Sequence, residues 1–545
     1  MRAPRGMVRF TWVLIFVIAV GSVGVGQDTS EETIAAGDGV GVPAAFRITV
    51  VDSKTDRGVP MVELTTVNGI VSLTDSAGVV AFDQPGLMNQ DVFFTVKSHG
   101  YTFPKDGFGF AGRRLRVTPG GSVTLQIDRV NIAERLYRIT GAGIYRDSVI
   151  LGDRVPIRMP LLNGQVVGQD SVQTALYRGK IYWFWGDTSR AAYPLGNFAM
   201  SGAVSELPPE QGGSGLDPDI GIDLTYFVGP DGFSRPMCPI KGKPGPVWCD
   251  GMVTCADETG RERLLCRFAR MKSLGEIHEQ GIAQYNNEKE AFEPICRIPL
   301  DAPLSLRGQP LRVEESDGEY WYFAVPFPLI RCRADYTSLL DVTQYEAYTC
   351  LEPGARYDSE QPRLERDAAG RLVYGWKRDT GVILQKEQNE LVQKKFMQSE
   401  EVMIRLRDVE TDKPVRGHSG TVSWNAYRGC WVLIAQEAFG TSFCGEVWYA
   451  EAPALIGPWG KARKIITHDD YSFYNVVHHP FFDHEDGRLI YLEGTYTKTF
   501  SGTKVPTPRY DYNQIMYRLD LSDERLKCVH VGEPAERTST RPAAL

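Results

Sequence analysis

Six times between Asn131 and Lys527 the chain sets a glycine-centred turn between two short apolar runs. The turns carry Gly179 (TALYRGKIYWFW), Gly260 (DETGRERLLCRF), Gly318 (ESDGEYWYFAV), Gly370 (DAAGRLVYGW), Gly429 (AYRGCWVLIA) and Gly487 (HEDGRLIYLEG), spaced 81, 58, 52, 59 and 58 residues apart. Aromatic and β-branched residues around a tight turn suit a pleated, half-buried surface. Recurrence at a nearly fixed interval is the signature of a repeat architecture. A third strand follows several hairpins, as in Gly281–Tyr285, Val402–Leu406 and Glu446–Ala450. A fourth completes each unit. Four-stranded units avoid exposed sheet edges by closing radially. The expected fold class is therefore all-β, with a β-propeller over residues 131–527. The repeat count predicts six blades, or five if one hairpin is not a full blade, and Arg135–Val155 offers a strand to close the ring. The single long interval holds a Gly/Pro/Asp-rich insertion around Gln211–Gly221.

A chain of 545 residues exceeds one ordinary core. Residues 44–130 predict a separate antiparallel β-sandwich of short strands: Phe46–Asp52, Val59–Leu64, Thr74–Phe82 and Phe93–Tyr101. Before it, Arg2, Arg5 and Arg9 precede an apolar run from Phe10 to Val25, with small residues ahead of Gln27. Residues 1–26 thus read as a signal peptide or, uncleaved, as an N-terminal anchor, since the run is short of the roughly 20 residues of a membrane span. Either reading exports the chain, to periplasm, cell surface or medium, and association with the cell envelope follows from the second. Residues 27–43 read as a linker and 528–545 as a polar tail. The formal net charge of −8 gives no reason to expect nucleic acid as a partner. The ten cysteines follow no small-scaffold spacing and read as structural, with their connectivity open.

In a propeller the first strand of each blade lines the central channel, and the residue before it opens on the funnel. Counting back nine or ten residues from each turn glycine selects Asp170, Asp250, Gln309, Gln361 (beside Glu360), Gly420 (beside His418 and Ser419) and His478. Asp187, Glu437 and Glu493 end second strands. The first hairpin alone carries an aspartate at both open ends, so Asp170 and Asp187 are expected at one rim. Carboxylates gathered on one face match glycosidic hydrolysis, in which one acid protonates the leaving oxygen and another activates water or attacks. Neighbouring carboxylates raise one another's pKa and keep the acid protonated. The competing reading is a non-catalytic surface propeller that binds carbohydrate or protein, its polar rim capping strands. Trp185, Trp248, Tyr474 and Tyr496 are candidates for stacking on sugar rings, and His478 and Arg509 for hydrogen bonding to hydroxyls. His478 and His479 alternate to opposite faces of a strand and make a poor chelate. No cofactor or catalytic metal is expected, with a structural Ca2+ in the channel left open. Phosphate loops, a nucleophile elbow and a dinucleotide fingerprint are missing from the sequence.

Two stretches resemble known families. VVDSKTDRGVP, TDSAGVVAF and SHGY are similar, in that order, to carboxypeptidase-regulatory-like sandwich domains, which implies a spacer or binding module. QDSVQTALYRGKIYWFWGDT resembles the first blade of the five-bladed propeller glycoside hydrolases of arabinanase and β-xylosidase type. VWYAEAPALIGPW and YNVVHHPFFDHEDGRLIYLEGTYT are similar to later segments of such propellers and of related secreted furanoside-active ones. The resemblance implies a polysaccharide or oligosaccharide substrate, with Asp170 as general base and Asp250 as the second aspartate that tunes it. For the general acid it points first to Glu493 and then to Glu360. Asp170 is followed by Ser171, where that pattern has proline.

Overall fold

The computed structural model describes residues 44–531 apart from Lys243 and Leu274. The expected signal segment, the linker and most of the tail lie outside the described residues. Within them the chain is almost entirely β, with α-helix confined to Arg146–Ile150, Tyr336–Leu340 and Gln385–Gln393.

Residues 46–129 form two four-stranded sheets. Phe46–Asp52 lies between Val79–Phe82 and a parallel partner, Ser122–Arg129; Glu63–Thr66 lies between Val71–Leu73 and Asp91–Lys97. Ile48, Val50, Leu64, Phe94, Leu125 and Ile127 of the two sheets meet in one apolar core.

Six sheets follow among the described residues: a small one of Val166–Gln169, Thr188–Arg190 and Tyr193–Asn197, and five of four or five strands, each founded on a hairpin. Sheet 1 runs Gln173–Tyr177, Lys180–Trp185, Ser201–Glu206, Thr225–Tyr226. Sheet 2 runs Val247–Ala256, Glu262–Ser273, Glu276–Asn286, Ala291–Ile298. Sheet 3 begins with Gln309–Glu315 and Gly318–Ala324, and sheet 4 with Gly417–Asn425 and Cys430–Glu437. Sheet 5 takes Ser472–His478, Leu489–Thr497 and Asn513–Asp520, and its outer strand is Glu134–Arg138 from the start of the region. The first strands of sheets 1 to 5 touch in succession. The circle closes where Ser171 N–H donates to Thr495 Oγ1 (3.0 Å) and Asn475 Nδ2 to Ser171 Oγ (2.7 Å). The arrangement is propeller-like.

Five of the six hairpin copies found a sheet of their own. The Gly370 turn makes only an isolated bridge between Arg366 and Leu372, and Gly375–Arg378 joins sheet 3 as its outermost strand. Its flanking run, RLVY, is half-exposed and has no neighbouring sheet to cover it on both faces. In the first hairpin both faces of the second strand are covered, which explains its nearly continuous apolar sequence. Along Lys180–Trp185, Ile181, Trp183 and Trp185 pack against Tyr491 and Phe481 of the sheet 5 region, while Phe184 packs against Phe268 and Phe292 of sheet 2.

Candidate active site

The site is built where the first hairpin opens. Gly186 N–H donates to Asp170 O (2.7 Å), so the two strand ends stay paired and Asp187 follows directly. A Cβ at Gly186 would lie 2.2 Å from Asp170 Oδ1, so only glycine lets the strand end pass so close to the carboxylate. Tyr474 OH donates to Asp170 Oδ2 (2.6 Å). Tyr512 OH, Ser171 and the Asp187 N–H also bond the Asp170 side chain. Burial raises the Asp170 pKa and these donors pull it back. Asp187 is raised to about 6, first by burial and then by the Asp170 charge, while Trp248 Nε1–H, donating to Oδ1 (3.1 Å), lowers it. The sequence expectation of two carboxylates at one rim describes this pair.

Three residues around Asp170 hold left-handed backbone without being glycine: Ser171 (φ 58°), Asn475 (φ 52°) and Tyr512 (φ 66°). Such conformations cost roughly 1–3 kcal/mol each and persist where surrounding structure fixes them. Here they turn the Asn475 amide onto Ser171 and bring Tyr512 to the carboxylate.

The rim continues to sheet 4. Asn475 N–H donates to Gln436 Oε1 (2.9 Å), which also accepts from Ser419 Oγ (2.8 Å). Glu437 accepts from Trp448 Nε1 (2.8 Å), and burial, with the Glu446 charge adding, pushes its carboxyl up. Gly440 makes room for both acids, since its Cβ would lie 2.1 Å from Glu446 Oε2 and 3.0 Å from Glu437 Oε2. Asp250, on sheet 2, is held by Arg267 Nη1 (3.0 Å) and Gly308 N–H (3.2 Å), which leaves it an ion-paired carboxylate.

Other expected site residues stand elsewhere. Glu493 is fully buried in mid-strand between Val477 and Met516, and neither oxygen has a hydrogen-bond partner among the described residues. His479 Nε2 stands 3.7 Å away, and burial raises the Glu493 pKa. Glu360 lies on an exposed turn paired to Lys394 (2.8 Å), which holds its carboxyl low. It misses the rim because the Gly370 hairpin founds no sheet. Trp185 is core, and Tyr496, also buried, stacks on Tyr471 with ring centroids 4.3 Å apart. Arg509 is tied to Asp147 (3.2 Å), beside the helix Arg146–Ile150. His478 lies on the channel rather than the rim, because two 3-10 turns, Pro480–Phe482 and Glu485–Gly487, lengthen its hairpin. Tyr512 and Glu446 went unmarked in the sequence, and only their proximity to Asp170 and Glu437 in space identifies them.

No protein-family model matches the chain and no curated protein is similar to it. Among solved structures it is similar to an exo-β-1,3-galactanase from Phanerochaete chrysosporium with galactose, at 11% identity over 71% of this chain and 65% of that one, TM-score 0.35. A GH43_1 enzyme from Xanthomonas citri complexed with xylotriose matches at 11% identity over 66% of this chain and 88% of that one, TM-score 0.32. An exo-1,5-α-L-arabinanase from a bovine ruminal metagenomic library matches at 9% identity over 67% and 95%, TM-score 0.31. Scores at this level assign neither fold nor activity to this chain.

Proposed function

We propose that this chain is an exported hydrolase that cleaves glycosidic bonds in a polysaccharide or its oligomers, with Asp170 and Asp187 as the reacting carboxylates. The coupled pair carries the reading. Asp187 holds its proton up to pH about 6, raised by burial and then by the charge of Asp170, so the pair is arranged to share one proton between an acid and a carboxylate. Asp187 protonates the leaving oxygen; Asp170 activates water or attacks the anomeric carbon. Asp250, on sheet 2, stands ion-paired to Arg267. Gln436, next to Glu437 on the second strand of sheet 4, connects to the pair's surroundings through the Asn475 N–H.

An aromatic wall beside the pair suits a sugar chain. Tyr474 touches Phe500 (centroids 5.7 Å), Phe500 touches Phe443 (6.1 Å) and Phe443 touches Phe439 (4.5 Å). The three phenylalanines are exposed at the mouth. Rings of this kind pack against the apolar faces of sugars, with hydroxyls left to the polar rim.

The test is hydrolysis of arabino-, xylo- and galacto-oligosaccharides by the wild type, Asp170→Asn and Asp187→Asn. One of these series is expected to be cleaved, with each variant at least about 1,000-fold slower. Full activity in both variants would sink the mechanism.

A further inference from the structure

A second group of reactive side chains lies on the channel, away from the carboxylate rim. Ser423 Oγ–H points to His478 Nδ1 (3.0 Å), and His478 Nε2–H points to Asp483 Oδ1 (2.8 Å). Burial raises the Asp483 pKa and His478 pulls it back; as a carboxylate Asp483 only accepts, which puts the proton on Nε2 and leaves the Nδ1 lone pair facing the serine hydroxyl. Local structure holds the order. Thr421, Ser423 and Asn425 alternate to one face of the first strand of sheet 4. His478 ends the first strand of sheet 5, with its N–H donating to Thr421 Oγ1 (3.1 Å). The turn Pro480–Phe482 then swings Asp483 back to the ring.

All three residues line one cavity of about 1,050 Å3 on the ring axis. Its wall includes Ala426, Asp486 and Gly487, which belong to hairpin turns, so it opens at the end of the ring opposite Asp170 and Asp187. Leu311, Trp321 and Trp424 give its mixed wall an apolar part. That volume and lining suit a small ligand.

We propose that Ser423, His478 and Asp483 form a nucleophilic site that hydrolyses small carboxylic esters, independent of the carboxylate pair. Ser423 Oγ adds to the acyl carbon as His478 Nδ1 takes the hydroxyl proton. The ester C–O bond breaks and the alcohol leaves with that proton. Water, deprotonated by His478, then adds to the acyl-serine; the Oγ–acyl bond breaks, Oγ regains its proton and the carboxylic acid is released. Thr421 lines the same cavity, and its hydroxyl proton is given to no acceptor among the described residues, so it offers a donor to the oxyanion.

The experiment treats the full chain with a fluorophosphonate probe and maps the adduct by mass spectrometry, alongside hydrolysis of p-nitrophenyl acetate. The expected result is an adduct on Ser423. Ser423→Ala, a small change on a strand, is expected to abolish it and to lower esterase turnover at least about 100-fold. Asp483→Asn is expected to slow labelling while leaving Ser423 in place. A saturating dose that leaves Ser423 unmodified, or a Ser423→Ala protein that turns over the ester at the wild-type rate, overturns the proposal.

Discussion

At the residue scale Asp187 is the group whose protonation matters most. A carboxyl at 3.8 when unfolded and about 6 when folded binds more protons in the native state between those values. Its contribution is therefore full at low pH and is lost as pH rises through about 6. Asp187→Asn removes the cost of ionising it, so the variant should be more stable than wild type above pH 7, by roughly 1–3 kcal/mol. Thermal melts at pH 7.5 and pH 4.5 check this, with the gain confined to the higher pH. Tyr474→Phe deletes a donor that holds Asp170 down, so the pKa governing the acid side of the pH–rate profile should move upward. Asp170 and Asp187 were legible in the sequence because a hairpin's two ends must share an edge. Their donors were not. Tyr474 and Tyr512 reach Asp170 across more than 300 positions of sequence, through a ring closure that no local pattern encodes.

At the element scale the same distance from the turn means the same place in the sheet. Asp187 lies eight residues after Gly179, and Glu437 eight after Gly429. Glu493 lies only six after Gly487, which makes it the counterpart of Trp185. Both are fully buried, Glu493 in mid-strand and Trp185 as the last residue of its strand. The residue eight after Gly487 is Thr495, which meets Ser171 at the rim. Its acidity points Glu493 to the funnel, but the sheet sets position first. A buried carboxyl without hydrogen bonds prefers its neutral form, so Glu493 costs stability as pH rises above its ordinary range. Glu493→Gln should raise the melting temperature at pH 8 and leave glycoside turnover unchanged. Glu437→Gln, at the rim, should lower that turnover instead. Equal activity loss in both would contradict the placement of the two acids.

At the scale of the whole molecule the two N-terminal sheets and the ring share buried contacts. Arg135 is fully buried and reaches Pro60 O (3.0 Å), Ser98 Oγ (3.0 Å) and Tyr517 OH (3.0 Å). Met61 and Leu73 enter an apolar cluster with Ile434, Phe473 and Ile515 of sheets 4 and 5, and Tyr510 OH bonds Thr74 O. Replacing Arg135 with methionine strands buried carbonyls, each costing roughly 1–3 kcal/mol. The expected result is a lower melting temperature with residues 44–129 and the ring still unfolding in one transition; two separate calorimetric transitions in the wild type would contradict the shared core. The sequence marked both regions by their strand patterns. It did not mark their seam, because Arg135 looks like an ordinary strand residue until Pro60 and Ser98 are brought to it.

The claim that Asp170 and Asp187 work as a coupled acid and carboxylate is tested most directly by the pH–rate profile of the wild type on whichever oligosaccharide series it cleaves. The expected result is a kcat that falls as pH rises through about 6, where Asp187 loses its proton. A rate that stays flat from pH 5 to pH 8, or one that Asp187→Asn leaves intact, would contradict it.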